Sequence, residues 1–312
     1  METKTPNRLV LIAFVLTVIF AGNNAIAVHY SNVELPPFFG AGIRFFLASL
    51  ILFAVVLATR LPLPRGRSLQ GVLIYGILGT GLNYAFLYWA LEHIQAGLSM
   101  TILALTPLLT FLFAWAHRQE AFHWKALFGA LLALTGIGVI AWEQLNLNAP
   151  LLPILAVAAA AACFAESTVF IKNYPKAHPI TTNAISLLTG SILLFIFSVV
   201  WRETPTLPTL PVTWVALLYL IIFGSVIVFV LLLYVIQHWT ASASSYIFVL
   251  MPIVTITMGA WLSQESVTAP FILGGVFVLS GAYIGGIANT DLWKCYFIGL
   301  FARFKSPTPE CE

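Results

Sequence analysis

The chain has 312 residues, of which 60% are hydrophobic and only 8% charged, with a formal net charge of +3. A soluble domain carries about 25% charged residues. No soluble core hides this much apolar side chain, because a folded protein always keeps a surface. The composition therefore excludes a soluble domain, a disordered chain and a nucleic-acid surface, and it leaves lipid as the outer solvent.

A membrane-spanning helix takes about 20 mostly apolar residues. Ten such runs are predicted, over 8–28, 37–59, 69–90, 94–116, 124–142, 150–171, 180–201, 212–236, 241–261 and 270–289. The first is too long, and too closely followed by others, to read as only a cleaved signal. It carries Asn23 and Asn24, with His29 and Tyr30 near its far end. The second holds Arg44, the one basic residue placed inside a span, and "LPLPRGRS" at 61–68 makes a Pro-rich basic turn after it. The third brings Asn83, Tyr84, Tyr88 and Trp89; the last two approach an interface, where Tyr and Trp often form belts. The fourth opens "GLSMT", with Ser99, Met100 and Thr101, passes Pro107 near its midpoint and ends at Glu120. The sixth contains Cys163 and Glu166. "WRETPTLPTLPVT" at 201–213 is a connector whose prolines disfavour helix. The ninth begins "SASSY", with Ser244, Ser245 and Tyr246, and runs through Pro252 to Glu265. Residues 291–312 form a tail.

Charge sets direction. With the N-terminus in the cytoplasm, twelve of the 14 Lys and Arg fall on the inner side, and Arg202 alone lies in an outer loop. Such a bias over short loops orients a polytopic chain. It supports an even helix count and cytoplasmic termini. Cys163, Cys295 and Cys311 show no metal-ligand spacing, and there is no Walker loop, dinucleotide fingerprint or HExxH. No cofactor is expected.

"ILALTPLLTFLFAWAHRQE" from Ile102 and "IFVLMPIVTITMGAWLSQE" from Ile247 share Pro at the sixth and Glu at the nineteenth position, 145 residues apart. The same offset matches His93 with His238, Trp89 with Tyr234, Gly79 with Gly224, Gly129 with Gly274 and Gly136 with Gly281. The halves are then residues 1–145 and 146–290, five spans each. Five is odd, so the second half enters the membrane from the opposite side. The fold class is an all-α polytopic membrane protein of ten helices in two inverted five-helix repeats. Inverted halves can exchange conformations and turn an inward cavity outward. Pro107 and Pro252 loosen their helices and free carbonyls for a cavity. They also fit a packing role alone. Glu120 and Glu265 read as structural groups at span ends, with gating or proton coupling as the other reading.

The paired Pro and Glu signatures, the Gly-rich spans after them and "GIRFFLASLILF" around Arg44 resemble the drug/metabolite transporter superfamily, in its ten-helix EamA-type members. The resemblance covers nearly all of residues 8–289. It implies two inverted domains and export of small metabolites or amphipathic compounds by a secondary carrier, mostly in prokaryotic inner membranes.

Polar groups within spans face a cavity or a partner. Asn23 and Asn24 suit a zwitterionic or amide-bearing solute and equally can bond facing helices. Arg44, about 10–12 Å below the outer surface at 1.5 Å per residue, can snorkel outward, make a domain contact or bind a substrate carboxylate. Asn83, Tyr84, Met100, Thr101, Ser245 and Tyr246 complete the candidate pathway, with aromatic stacking area for an amphipathic solute. Glu166 can reach Lys172, bond within the bundle or carry a proton. The expected partners are a small-molecule substrate and membrane lipid, with proton or sodium coupling open, no nucleic acid, and a monomer sufficient. A channel or lipid translocator is the alternative, and an integral membrane enzyme lacks the clustered His, Asp and Glu it would need.

Overall fold

The computed structural model describes residues 8–119, 121, 124–146, 151–239, 244, 247–262 and 268–286. Among these, every regular element is helical. Ten helical spans follow one another: α1 Arg8–Ser31, α2 Pro37–Thr59, α3 Arg67–Leu91, α4 Ala96–Ala116 and α5 Trp124–Asn146, then α6 Leu151–Ile171, α7 Pro179–Val200, α8 Pro211–His238, α9 Ile247–Leu262 and α10 Ala269–Gly286. Large apolar side chains such as Leu57, Trp124 and Val199 stand outward, each 77% exposed. That is the side-chain distribution of a bundle solvated by lipid.

The contacts give the relative directions of the helices. In α2 and α7, Phe38 meets Trp201 and Phe46 meets Phe195, so one number rises as the other falls and the pair is antiparallel. Gly136 of α5 faces the Gly274 carbonyl of α10, and Gly281 faces that of Gly129, which makes a second antiparallel pair. Each of these pairs joins equivalent helices of the two halves, so the halves are inverted. Unlike helices of equal parity run parallel. Gly22 and Tyr30 of α1 bond to Thr255 and Leu262 of α9, and His117 and Gln119 beside α4 bond to Glu166 and Val169 of α6. The α1/α9 contact is thus repeated, upside down, as α6/α4.

Two spans carry a lengthened turn. α3 is a π-helix over Gly76–Leu82, and α8 is one over Ile222–Ile227. They coincide under the repeat, at the matched Gly79 and Gly224. A π segment displaces one carbonyl from the ordinary ladder and commonly marks a functional stretch. α1 bends at Asn23, between helical segments Arg8–Gly22 and Asn24–Ser31. The Asn23 amide donates to the Ile19 carbonyl and competes with the ladder there. α4 breaks at Ala104–Leu105, and Pro107 sits in the first turn of the segment that follows. Pro107 cannot donate to the Leu103 carbonyl, and the Thr106 hydroxyl does so instead. Pro252 lies inside a continuous helix, Ile247–Leu262. The matched prolines therefore do different things, and position 251, equivalent to Thr106, is Met251.

On the side opposite Arg8, two carboxylates tie the halves together. Glu203, after α7, accepts from the backbone N–H groups of Phe38 (3.0 Å) and Phe39 (2.7 Å) at the start of α2. Glu34, before α2, accepts from Leu210 N (3.0 Å) and Thr209 N (3.1 Å) at the start of α8, and from the Thr209 hydroxyl. Each anion satisfies orphan donors at a helix N-terminus. The bond from the Thr209 hydroxyl, with further bonds from the Leu210 and Thr209 N–H groups, lowers the Glu34 carboxyl from 4.5 to about 2. A depressed carboxyl stabilises the fold above its unfolded value and loses that contribution as pH falls through its folded value. The window here is pH 4.5 down to about 2. Glu34→Gln is expected to lose less stability than wild type across that window, read as the unfolding midpoint against pH. Parallel profiles would contradict this role.

Three arginines, Arg60, Arg118 and Arg202, have left-handed φ of 51°, 57° and 55° just past the ends of α2, α4 and α7. A cation at a helix C-terminus is favourable there. That local role accounts for Arg202, the one cation the charge pattern places outside.

Candidate functional site

Arg44 is fully buried. It sits a little over two turns into α2, facing the π segment of α8. Its Nε donates to Ser225 Oγ (2.8 Å), Nη1 to Tyr88 Oη (2.9 Å) and Nη2 to the Gly224 carbonyl (2.8 Å). The guanidinium carbon lies 4.8 Å from the Phe45 ring centre and 5.5 Å from that of Tyr84. Arg44 does not snorkel: its donors are held at depth by three neutral groups. Asn24 of α1 reaches the same carbonyl, with Nδ2 3.2 Å from Gly224 O. The approach requires glycine, because a Cβ at position 224 would lie 2.3 Å from Asn24 Oδ1 and 3.0 Å from Arg44 Nη2. The mirrored site in α3 is simpler. Gly79 faces Ser167 of α6, and its carbonyl accepts from Asn83 Nδ2 at 3.1 Å.

Arg44, Asn24 and Asn83 line one cavity with Thr17 and Tyr84. Its apolar wall from the first half includes Leu87, Leu91, Met100 and Leu103; the second half adds Phe164, Phe229, Phe248 and Met251. The space inside it, counted by where the centre of a water molecule can go, is about 40 Å³. One water needs about 10–15 Å³ on that measure, so this conformation holds a few waters and excludes a metabolite.

The other sequence-derived candidates are placed as follows. Tyr84 stands at the wall with its ring edge-on to Phe45 (4.7 Å between centres). Met100 is buried at the cavity. Asn23 and Thr101 are not on its wall, and each bonds to its own helix, at Ile19 O and Gly97 O. Pro107 and Pro252 shape helices rather than lining the cavity. Glu166 reaches neither Lys172 nor the cavity. It pairs with His117 Nε2 at 2.9 Å, between the adjacent ends of α4 and α6, while Lys172 Nζ donates to the Trp239 carbonyl. Ser245, Tyr246, Glu120 and Glu265 lie outside the described residues. Tyr88 is wholly buried and holds Arg44, so it is no interfacial belt residue. Gly224 and Ser225 went unremarked as site residues; the Gly79/Gly224 match was the available signal. No group of three His, Cys, Asp or Glu that could hold a metal occurs among the described residues.

Comparison with known proteins places the chain among transporters. The chain matches the EamA-like transporter family twice, over residues 8–142 and 151–285. It is 26% identical over 284 residues to an Escherichia coli K12 protein named "Probable amino-acid metabolite efflux pump", covering 86% of this chain and 92% of that one. It is 27% identical over 284 residues to a transporter of Archaeoglobus fulgidus, covering 88% and 97%. The E. coli inner membrane transporter YedA matches at 27% over 239 residues, 75% and 76% of the two chains. One crystal structure superposes with a TM-score of 0.66 at 18% identity, over 91% of this chain and 98% of that one, which establishes a shared fold.

Proposed function

The chain belongs to the EamA-like transporter family, and on that premise we propose that this membrane transporter is a secondary carrier exporting a small organic metabolite, such as an amino acid or an amphipathic solute, by alternating access. The supporting observation is the shared cavity: both inverted halves wall it, and the π segment of α8 holds Arg44, one of its lining residues. Lengthened helix turns at equivalent places in α3 and α8 give each half a joint about which its outer or inner part can tilt. The inner or plasma membrane is the proposed location, with both termini in the cytoplasm on the positive-inside bias. The driving force is a proton or sodium gradient, exchange, or the solute's own gradient, and a monomer suffices.

A counterflow screen on purified protein in proteoliposomes tests this, with aromatic and small amino acids, nucleosides and amphipathic amines. At least one solute loaded inside is expected to accelerate uptake of its own label from outside. Absence of trans-stimulated flux across the panel, or ion currents beyond carrier turnover, would end the carrier reading.

A further inference from the structure

Resting on the carrier reading, we propose that the cavity is a carboxylate site, with Arg44 as the anchor of a monocarboxylate solute that also bears a hydrogen-bond donor. Three observations converge on it. First, the Arg44 charge has no counter-ion among the described residues. Its three bonds go to a serine hydroxyl, a tyrosine hydroxyl and a backbone carbonyl, all of them neutral. A charge buried at membrane depth without a partner is costly, and a guanidinium does not escape by shedding its proton as an ammonium can. Second, a guanidinium has five N–H donors in a planar fork. The three bonds use one on each nitrogen, so Nη1 and Nη2 each keep a donor. A carboxylate has two oxygens to accept them.

Third, the same wall contains two buried amide oxygens without a partner among the described residues, Asn24 Oδ1 and Asn83 Oδ1. Unsatisfied buried acceptors are exceptions that call for an explanation. An N–H or O–H donor on the solute supplies the missing partner. The remainder of the wall, from Leu87 and Leu91 to Phe164 and Phe248, takes an apolar side group. Arg44 is the one basic residue on the cavity wall, so the charge suits a monoanion and not a phosphate dianion. The restricted space means that the solute binds as the halves part, which is the step alternating access requires.

The test uses the full chain purified in detergent, with ligands matched except at one group: phenylalanine, 3-phenylpropionate, phenylalaninamide and phenylethylamine, and the corresponding leucine series. Binding raises the thermal unfolding midpoint by mass action. Carboxylate members are expected to raise it in wild type, and the amides and amines are not. Arg44→Leu is expected to weaken the carboxylate effect by roughly 10- to 100-fold, the loss of hydrogen bonds to a charged group. Arg44→Lys keeps the charge, loses the fork and is expected to fall between. Should either variant fold poorly, the matched ligands on wild type still decide. Equal shifts from amides and carboxylates, no shift from any carboxylate, or a folded Arg44→Leu protein with an unchanged carboxylate response would overturn the assignment. Counterflow of a solute without a carboxylate would do so while leaving the carrier reading intact, whereas absence of all flux strikes the carrier reading itself.

Discussion

Gly224→Ala is expected to abolish measurable transport and to lower stability by about 2–4 kcal/mol, since each buried polar group left without its partner costs about 1–3 kcal/mol. The added Cβ would lie 2.3 Å from Asn24 Oδ1 and 3.0 Å from Arg44 Nη2. Both side chains must retreat, and both then lose their bonds to the Gly224 carbonyl. Arg44 is fully buried and Asn24 is 7% exposed, so bulk water does not replace those bonds. The substitution also favours ordinary α-helix over the π turn that presents this carbonyl. Counterflow rate and unfolding midpoint, measured on the same preparation, check it. Transport at the wild-type rate in Gly224→Ala would show that the α1/α2/α8 junction plays no part in the cycle.

The second large effect lies at the α5/α10 contact. A Cβ at Gly281 would sit 2.3 Å from the Gly129 carbonyl and 2.6 Å from Ala133 N; one at Gly136 would sit 2.5 Å from the Gly274 carbonyl. These neighbours are backbone, so a whole helix must move. Small residues at such crossings allow the close approach that drives helix association in lipid, where the hydrophobic effect supplies none. Gly136→Ala and Gly281→Ala are each expected to cost about 1–3 kcal/mol by overpacking. Being close in space they should be non-additive, since a helix displaced once accommodates the second methyl more easily. Gly138 and Gly275 provide the control: an added Cβ meets nothing within 4 Å at either. Alanine there is expected to be neutral or stabilising by up to about 1 kcal/mol, the ordinary helix preference over glycine. Equal effects at all four positions would mean that the α5/α10 contact is not the tight one described.

Composition and hydropathy made the spans legible, because a lipid-facing helix must show its solvent preference residue by residue. The repeat was legible too, since Pro107/Pro252 and Gly79/Gly224 recur at one offset and five is odd. What those matched residues do was not. Gly79 and Gly224 match by the repeat, which does not announce the lengthened turns around them. A break precedes Pro107 and none surrounds Pro252, and only the first has a neighbouring hydroxyl, that of Thr106, on the freed carbonyl. Arg44 could be assigned a depth from its place in α2. Its partners Tyr88, Gly224 and Ser225 are 44, 180 and 181 residues away, beyond any periodic signal. The same holds for Glu166 with His117 and for the two carboxylates that cap the partner half, whose bonds span 49 to 176 residues. A spacing rule reads one helix face at a time, whereas the site is made where four helices meet.

The inversion of the two halves is tested most directly by labelling single cysteines at Arg118 and Leu262, the exposed positions that close α4 and its repeat equivalent α9, in a chain with Cys163, Cys295 and Cys311 replaced. In sealed cells with a membrane-impermeant maleimide, Leu262→Cys is expected to label from outside, and Arg118→Cys only after the membrane is opened. Labelling of both from the same side would contradict the inverted repeat, and with it the alternating-access cavity built between its halves.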